Sequence, residues 1–158
     1  MRIEMTSGRF RLSGVLLQDQ APETCNWFLG RLPLAATMLQ AAWSGMAVFS
    51  DLDGEGRGVP FENITSYPAV GSVLMYPGNM QGNAGELYIP YGGNRFSCPI
   101  GQIAGNHFLT FDAGVEKLSE LGRLIRQCGA RDLHFALARQ DGQQRPVAKP
   151  ADDIRGSI

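Results

Sequence analysis

The chain has 158 residues, enough for one domain with its own core. Its formal net charge is −1, with 44% hydrophobic and 18% charged residues, which argues against a nucleic-acid partner, an anionic membrane surface and a disordered chain. Twenty glycines and nine prolines favour many short strands over a helical bundle.

Taken in order, RIEMT (2–6) and RFRLSGVLL (9–17) flank Ser7-Gly8 as a β-hairpin would. Neither this N-terminus nor any later stretch has the apolar run of a signal peptide or a membrane span. Pro22 suits the first turn of a helix whose apolar face is Cys25, Phe28, Leu29 and Leu32, closed by Pro33. Residues 37–50 are ambiguous, with Gly45 and MAVF favouring strands. Residues 51–60 read as a loop and 61–69 as irregular. Strands are expected at 71–76, 86–90 and 107–111, with a Gly/Asn-rich connection at 77–85. Asp112 is placed to cap a second helix carrying Val115, Leu118, Leu121, Ile125 and Cys128 and ending at Gly129. RDLHFALA (131–138) alternates as a closing strand.

The expected fold is mainly β: a closed barrel with two capping helices at residues 1–138, followed by a polar, mobile tail at 139–158. Cys25, Cys98 and Cys128 show no paired spacing and read as idle thiols in a reducing cytoplasm. His107 and His134 have no ligand spacing around them, so no metal and no cofactor is expected. DLDGEGRGVPFE (51–62) matches a calcium loop in form, but Gly58, Pro60 and the following NITSYP deny it an exiting helix, so a flexible acidic turn is the reading.

Several stretches resemble cyclophilins. APETCNWFL (21–29) is similar to the APxTxxNF helix start, VGSVLMYPGNMQGNAGELYI (70–89) to PGxLSMANxGPNTNGSQFFI, and AGNHFLTFDAGVEKL (104–118) to DGKHVVFGxVxxGMDVV. A closer resemblance is to a family of uncharacterised bacterial proteins with a cyclophilin-like fold. Its patterns RWSGEAVF, PENATSYPAPGDVLYYPG, YGPTRF and GQLAGNHF correspond to AWSGMAVF, FENITSYPAVGSVLMYPG, YGGNRF and GQIAGNHF here. The resemblance implies a cyclophilin-like barrel with a cleft on its side. Tyr88, Glu86 and His107 fall where the cyclophilin cleft has a phenylalanine, a glutamine and a histidine. The arginine that polarises a prolyl amide has no counterpart in QAAWSGMAVFS (40–50), so isomerase activity is not expected to be retained.

From the residues themselves, alternation in 86–90 puts Glu86, Tyr88 and Pro90 on one face and Leu87 and Ile89 on the core face. Arg95, in a Gly-rich loop, suits a carboxylate ligand or a structural ion pair. His107 suits proton transfer or a structural role, and Trp43 a flat ligand or the core. The expected function is binding of a small anionic or amide-bearing metabolite. Trp43, Tyr88 and Tyr91 would wall the site, with Glu86, Arg95, Asn106 and His107 as its polar groups. Whether the protein is an enzyme stays open, because no nucleophile–base pair can be read from spacing. A residual prolyl isomerase and a non-catalytic interaction subunit are the alternatives, and a homo-oligomer is compatible with any of them.

Overall fold

The computed structural model describes residues 1–79 and 84–139. The expected tail, apart from Arg139, and the middle of the 77–85 connection lie outside the described residues. The first hairpin forms as expected: β1 (Arg2–Ser7) and β2 (Phe10–Leu16) meet at a turn where Gly8 takes φ 57, a conformation glycine adopts without steric cost. Then come α1 (Pro22–Leu29), β3 (Leu34–Gln40), β4 (Gly45–Asp51), β5 (Ile64–Thr65) and β6 (Ser72–Tyr76). These are followed by β7 (Glu86–Asn94), β8 (Ser97–Cys98), β9 (Gly101–Gln102), β10 (Gly105–Ala113), α2 (Leu118–Cys128) and β11 (Arg131–Leu137).

Eight strands close into an antiparallel barrel in the order β2-β1-β11-β3-β4-β7-β6-β10, with β10 returning to β2. β5 flanks β10, and β8 and β9 form a separate small hairpin. Closure removes the free edges that an open sheet would expose. It requires very close backbones where β2 meets β10. Gly14 lies opposite Phe111, and a Cβ there would sit 2.7 Å from Phe111 Cα and closer still to the Thr110 carbonyl oxygen.

Alternation splits each strand between two environments. Ile3, Met5, Leu12, Met38, Val48, Val73, Met75, Leu87, Ile89, Leu109, Leu133 and Phe135 fill the main core. α1 adds Cys25 and Phe28, the Phe28 ring lying 5.0 Å from Phe108 and 5.6 Å from Phe135. Burial pushes the Cys25 thiol up to about 11, which keeps it a neutral core group. The register places α1 and α2 at opposite ends of the barrel: α1 by the start of β10 and the end of β11, α2 by the far end of β7, where Gly122 abuts the Tyr91 ring.

Two helix boundaries differ from expectation. α1 stops at Leu29, so Leu32 lies beyond it, packed against the core from the following turn. Asp112 does not cap the second helix, because β10 runs on through Ala113. Its carboxylate instead binds the Arg2 guanidinium, Nη1 to Oδ2 at 2.9 Å, across the barrel surface. A 3-10 turn at Val115–Lys117 then leads into α2 without a side-chain cap. Among the described residues no helix is long and apolar enough to cross a membrane, and no group of three His, Cys, Asp or Glu is placed to hold a metal ion.

Gly14→Ala should therefore destabilise the fold by about 1–3 kcal/mol, because a methyl group forces β2 from β10. Gly93→Ala, whose added Cβ meets nothing within 4 Å, should leave the denaturation midpoint nearly unchanged.

Candidate functional site

The outer face of β4, β7 and β6 carries a second apolar cluster, separate from the barrel interior. Register explains it. Phe49 lies opposite Tyr88, Tyr88 opposite Leu74, and Leu74 opposite His107, so one row crosses four strands. The next row towards the α1 end is Asp51, Glu86 and Tyr76. The sequence reading of this strand holds to that extent: Glu86 and Tyr88 face outward, Leu87 and Ile89 inward.

The segment after β7 folds back over this face and inserts Phe96. That ring is fully buried, 4.3 Å from the Tyr88 ring and edge-on to Tyr76 at 6.1 Å. Backbone bonds hold the segment down. Arg95 N–H donates to Ser44 O at 3.0 Å, Phe96 N–H to Ser66 O at 2.8 Å and Ile103 N–H to Phe96 O at 3.1 Å. The Ser44 hydroxyl donates to Ser97 O at 2.9 Å and accepts from Ser97 N–H at 3.0 Å.

Between this flap and the sheet remains a groove of about 160 Å³ lined by Ala41, Trp43, Ser44, Phe49, Glu86, Ser97, Cys98 and Pro99. Glu86 is its ionisable wall. Burial, with the Asp51 carboxylate on the neighbouring strand adding to it, raises its carboxyl from the usual 4.5 to about 7. No donor among the described residues hydrogen-bonds that carboxyl. Trp43, 68% exposed on the β3–β4 turn, is the opposite lip rather than a core residue. Ser97 and Cys98, the latter read from sequence as an idle thiol, line the groove from the flap.

The other five expected residues take different places. Tyr88 shares the outer face but lies wholly buried beneath Phe96, its hydroxyl donating to Asn94 Oδ1 at 3.1 Å and its pKa pushed up by burial. Tyr91 points into the barrel with Leu87 and Ile89, as odd-numbered residues of this strand must. It packs on Gly122 and donates to Gln40 Oε1 at 2.8 Å. Arg95 is exposed on the flap, with no side-chain partner among the described residues, and does not line the groove. His107 shares the outer row, but its Nε2 lies 2.9 Å from Thr110 Oγ1, and burial lowers its pKa, favouring the neutral ring.

Asn106, on the opposite face of β10, is fully buried and saturated. Its Nδ2 donates to Thr24 Oγ1 at 2.9 Å and Pro60 O at 2.8 Å, and its Oδ1 accepts from Glu62 N–H at 3.1 Å. Glu62 in turn accepts from Thr24 N–H at 2.6 Å and Thr24 Oγ1 at 2.7 Å, placing a carboxylate at the α1 N-terminus. This network ties helix, loop and strand together. The structure thus brings Trp43 and Glu86 to one groove, sets Tyr88 beneath its cover, and sends Tyr91 and Asn106 elsewhere.

The family described as "Protein of unknown function (DUF3830)" matches residues 3–137, and the chain belongs to it. No curated protein matches the chain. Among solved structures, McbB in complex with tryptophan is similar at a TM-score of 0.68 and 15% identity. The match covers 96% of this chain, which spans about half (50%) of that one. The solution structure of the hypothetical protein AF2241 from Archaeoglobus fulgidus is similar at a TM-score of 0.52 and 17% identity, covering 87% of this chain and 95% of that one. At these identities the likeness is one of fold.

The raised Glu86 value fixes the sign of a pH effect. Below about 4.5 the carboxyl is protonated folded or unfolded. Between 4.5 and 7 the folded state holds the proton more firmly, so stability falls as pH rises through that window. Glu86→Gln should thus be near neutral at pH 4 and raise the unfolding free energy at pH 8, by at most about 3 kcal/mol. Urea titrations of both proteins at the two pH values measure this.

Proposed function

We propose that this member of the DUF3830 family binds a small molecule bearing an amine or amide group and a flat ring, held in the groove between the flap and β7. The carrying observation is Glu86, a partly buried carboxyl with no hydrogen-bond donor among the described residues, on the wall of a groove whose lip is an exposed indole. A partly desolvated acceptor with no donor from the described residues gains from a ligand N–H that reaches it. A groove of about 160 Å³ takes one ring or short chain, not an entire large ligand, and leaves the remainder over Trp43.

Of the two ligand classes expected from sequence, anionic and amide-bearing, the amide-bearing one fits better, and an amine offers the same N–H donor. An anion would face Glu86 and Asp51, while Arg95, the residue expected to attract it, lies off the groove. The fold shared with McbB, whose structure holds tryptophan, supports a ligand that pairs an aromatic ring with an amine. The cyclophilin-like assignment belongs to this reading and rests on the motif order. A prolyl isomerase would need its cleft open over Tyr88, where Phe96 lies. The protein acts as a soluble binding protein in this account, and no reaction is assigned to it.

Calorimetry with tryptamine, tryptophan amide and indole-3-acetate tests the proposal. Tryptamine and tryptophan amide should bind, with tryptamine affinity rising as pH passes upward through about 7 and Glu86 ionises. Trp43→Ala and, at pH 8, Glu86→Gln should each weaken tryptamine about ten-fold, a loss of about 1.4 kcal/mol. Indole-3-acetate binding as tightly as tryptamine at pH 8 would overturn the assignment.

A further inference from the structure

The barrel is closed, but one of its seams is zipped only part of the way. β3 and β4 each have seven residues, yet they pair only at Leu39–Phe49 and Gln40–Val48, with Ala41 N–H donating to Ala47 O at 2.9 Å. Beyond that point the strands follow different neighbours. β3 stays with β11 from Leu34 to Met38. β4 and the chain after it stay with β7: Asp51 lies opposite Glu86, Leu52 N–H donates to Gly85 O at 3.0 Å, and Gly54 N–H to Ala84 O at 2.7 Å. A cavity of about 400 Å³ opens between them, with Leu87 and Leu52 in its wall and, at its end, Trp27 of α1 and Arg31 from the turn after it.

The walls of this wedge carry backbone groups. Ala41 turns its peptide group towards β4, so antiparallel alternation turns those of Leu39, Thr37 and Ala35 to the same side. Leu39 finds Phe49. Thr37 and Ala35 face the cavity, and no strand among the described residues meets them. Donors and acceptors thus alternate along an open edge whose exposed side chains, Ala35 and Thr37, are small.

The rim is acidic. Among the described residues that line it, Arg31 is the one cation, and each of its nitrogens is already engaged: Nε lies 3.1 Å from Glu55 Oε2, Nη2 3.0 Å from Glu55 O and Nη1 3.2 Å from Trp27 O, with the guanidinium over the Trp27 ring at 4.3 Å. Asp51 and Asp53, on the facing wall, have no ion-pair partner among the described residues.

We infer that this seam receives a short extended segment of a partner protein bearing lysine or arginine, added to the free edge of β3 as a strand. Backbone hydrogen bonds give such an addition its affinity, and alternate side chains give it specificity. The basic residues meet Asp51 and Asp53, and the apolar residues between them lie on Leu52 and Leu87. A small free amine would satisfy the carboxylates and leave the N–H groups of β3 unanswered, so the peptide is the better occupant. Five residues of β3, Leu34 to Met38, limit the added strand to a few residues.

Fluorescence anisotropy on the full chain tests this with a labelled, acetylated and amidated Lys-Val-Lys-Val-Lys peptide. The basic peptide should bind at least ten-fold tighter than its Glu-Val-Glu-Val-Glu counterpart, and the Asp51→Asn, Asp53→Asn double variant should lose that preference. N-methylation of the peptide at alternate residues should weaken it more than ten-fold in one of the two possible phases, because only one phase faces β3. Ala35→Pro deletes a seam-facing N–H while sparing the bonds to β11, and should abolish binding. Where that variant does not fold, the N-methylated peptides on the unaltered protein decide the same point. Equal affinity for the acidic peptide, indifference to N-methylation in both phases, or free agmatine binding as tightly as the basic peptide would each overturn the inference.

Discussion

At Gly14 the backbone of β2 comes so near to Thr110 and Phe111 of β10 that no side chain fits between them. That approach joins the last pair of strands, and the two faces of every strand acquire their meaning from it. With the ring closed, one face of each strand lines an interior filled by aliphatic and aromatic side chains, and the other looks outward. Without it, β2 and β10 would be edges, and Phe111 and Leu12 would lose their shared interior. The site, the flap over it and the parted seam are all features of the outside of this ring.

On that outside, β4, β7 and β6 carry an aromatic patch too apolar to face water, and the chain covers it with its own Phe96. The cover is local. It seals Tyr88 and leaves Glu86 at the edge, where desolvation and the Asp51 charge make the carboxyl reluctant to ionise. A group in that condition is a stability cost to the free protein at neutral pH and a ready acceptor for a donor from elsewhere. The same few residues leave a groove at the edge of the flap and close the surface over Tyr88.

β4 stands between the two outward sites. Its pairing with β7 is extensive and continues past its end through Leu52 and Gly54, whereas its pairing with β3 ends after two register positions. The strand follows the better-paired neighbour and opens the wedge on the other side. Asp51 belongs to both consequences: its charge bears on Glu86 across one ladder and lines the wedge across the other.

Much of the fold was legible in the residues. The hairpin at Ser7-Gly8, the strands at 71–76, 86–90 and 107–111, and the apolar stripe Leu118, Leu121, Ile125 each follow from spacing, because local periodicity reports which face a residue buries. Helix ends were less legible: Asp112 has the chemistry of a cap, but a salt bridge to Arg2, 110 residues away in sequence, engages it instead. Alternation alone set Glu86 and Tyr88 on one face. It could equally have warned that Tyr91 shares the parity of Leu87 and Ile89. What no local pattern contains is the flap that lays Phe96 on Tyr88, the saturation of Asn106 by Thr24, Pro60 and Glu62, and the parting of β3 from β4. Sequence by itself determined the elements and the inward or outward sense of their side chains, since those depend on neighbours within a few residues. The tertiary structure alone decided which outward groups are covered, which are satisfied and which are left facing a cavity, because that depends on segments brought together only when the ring closes.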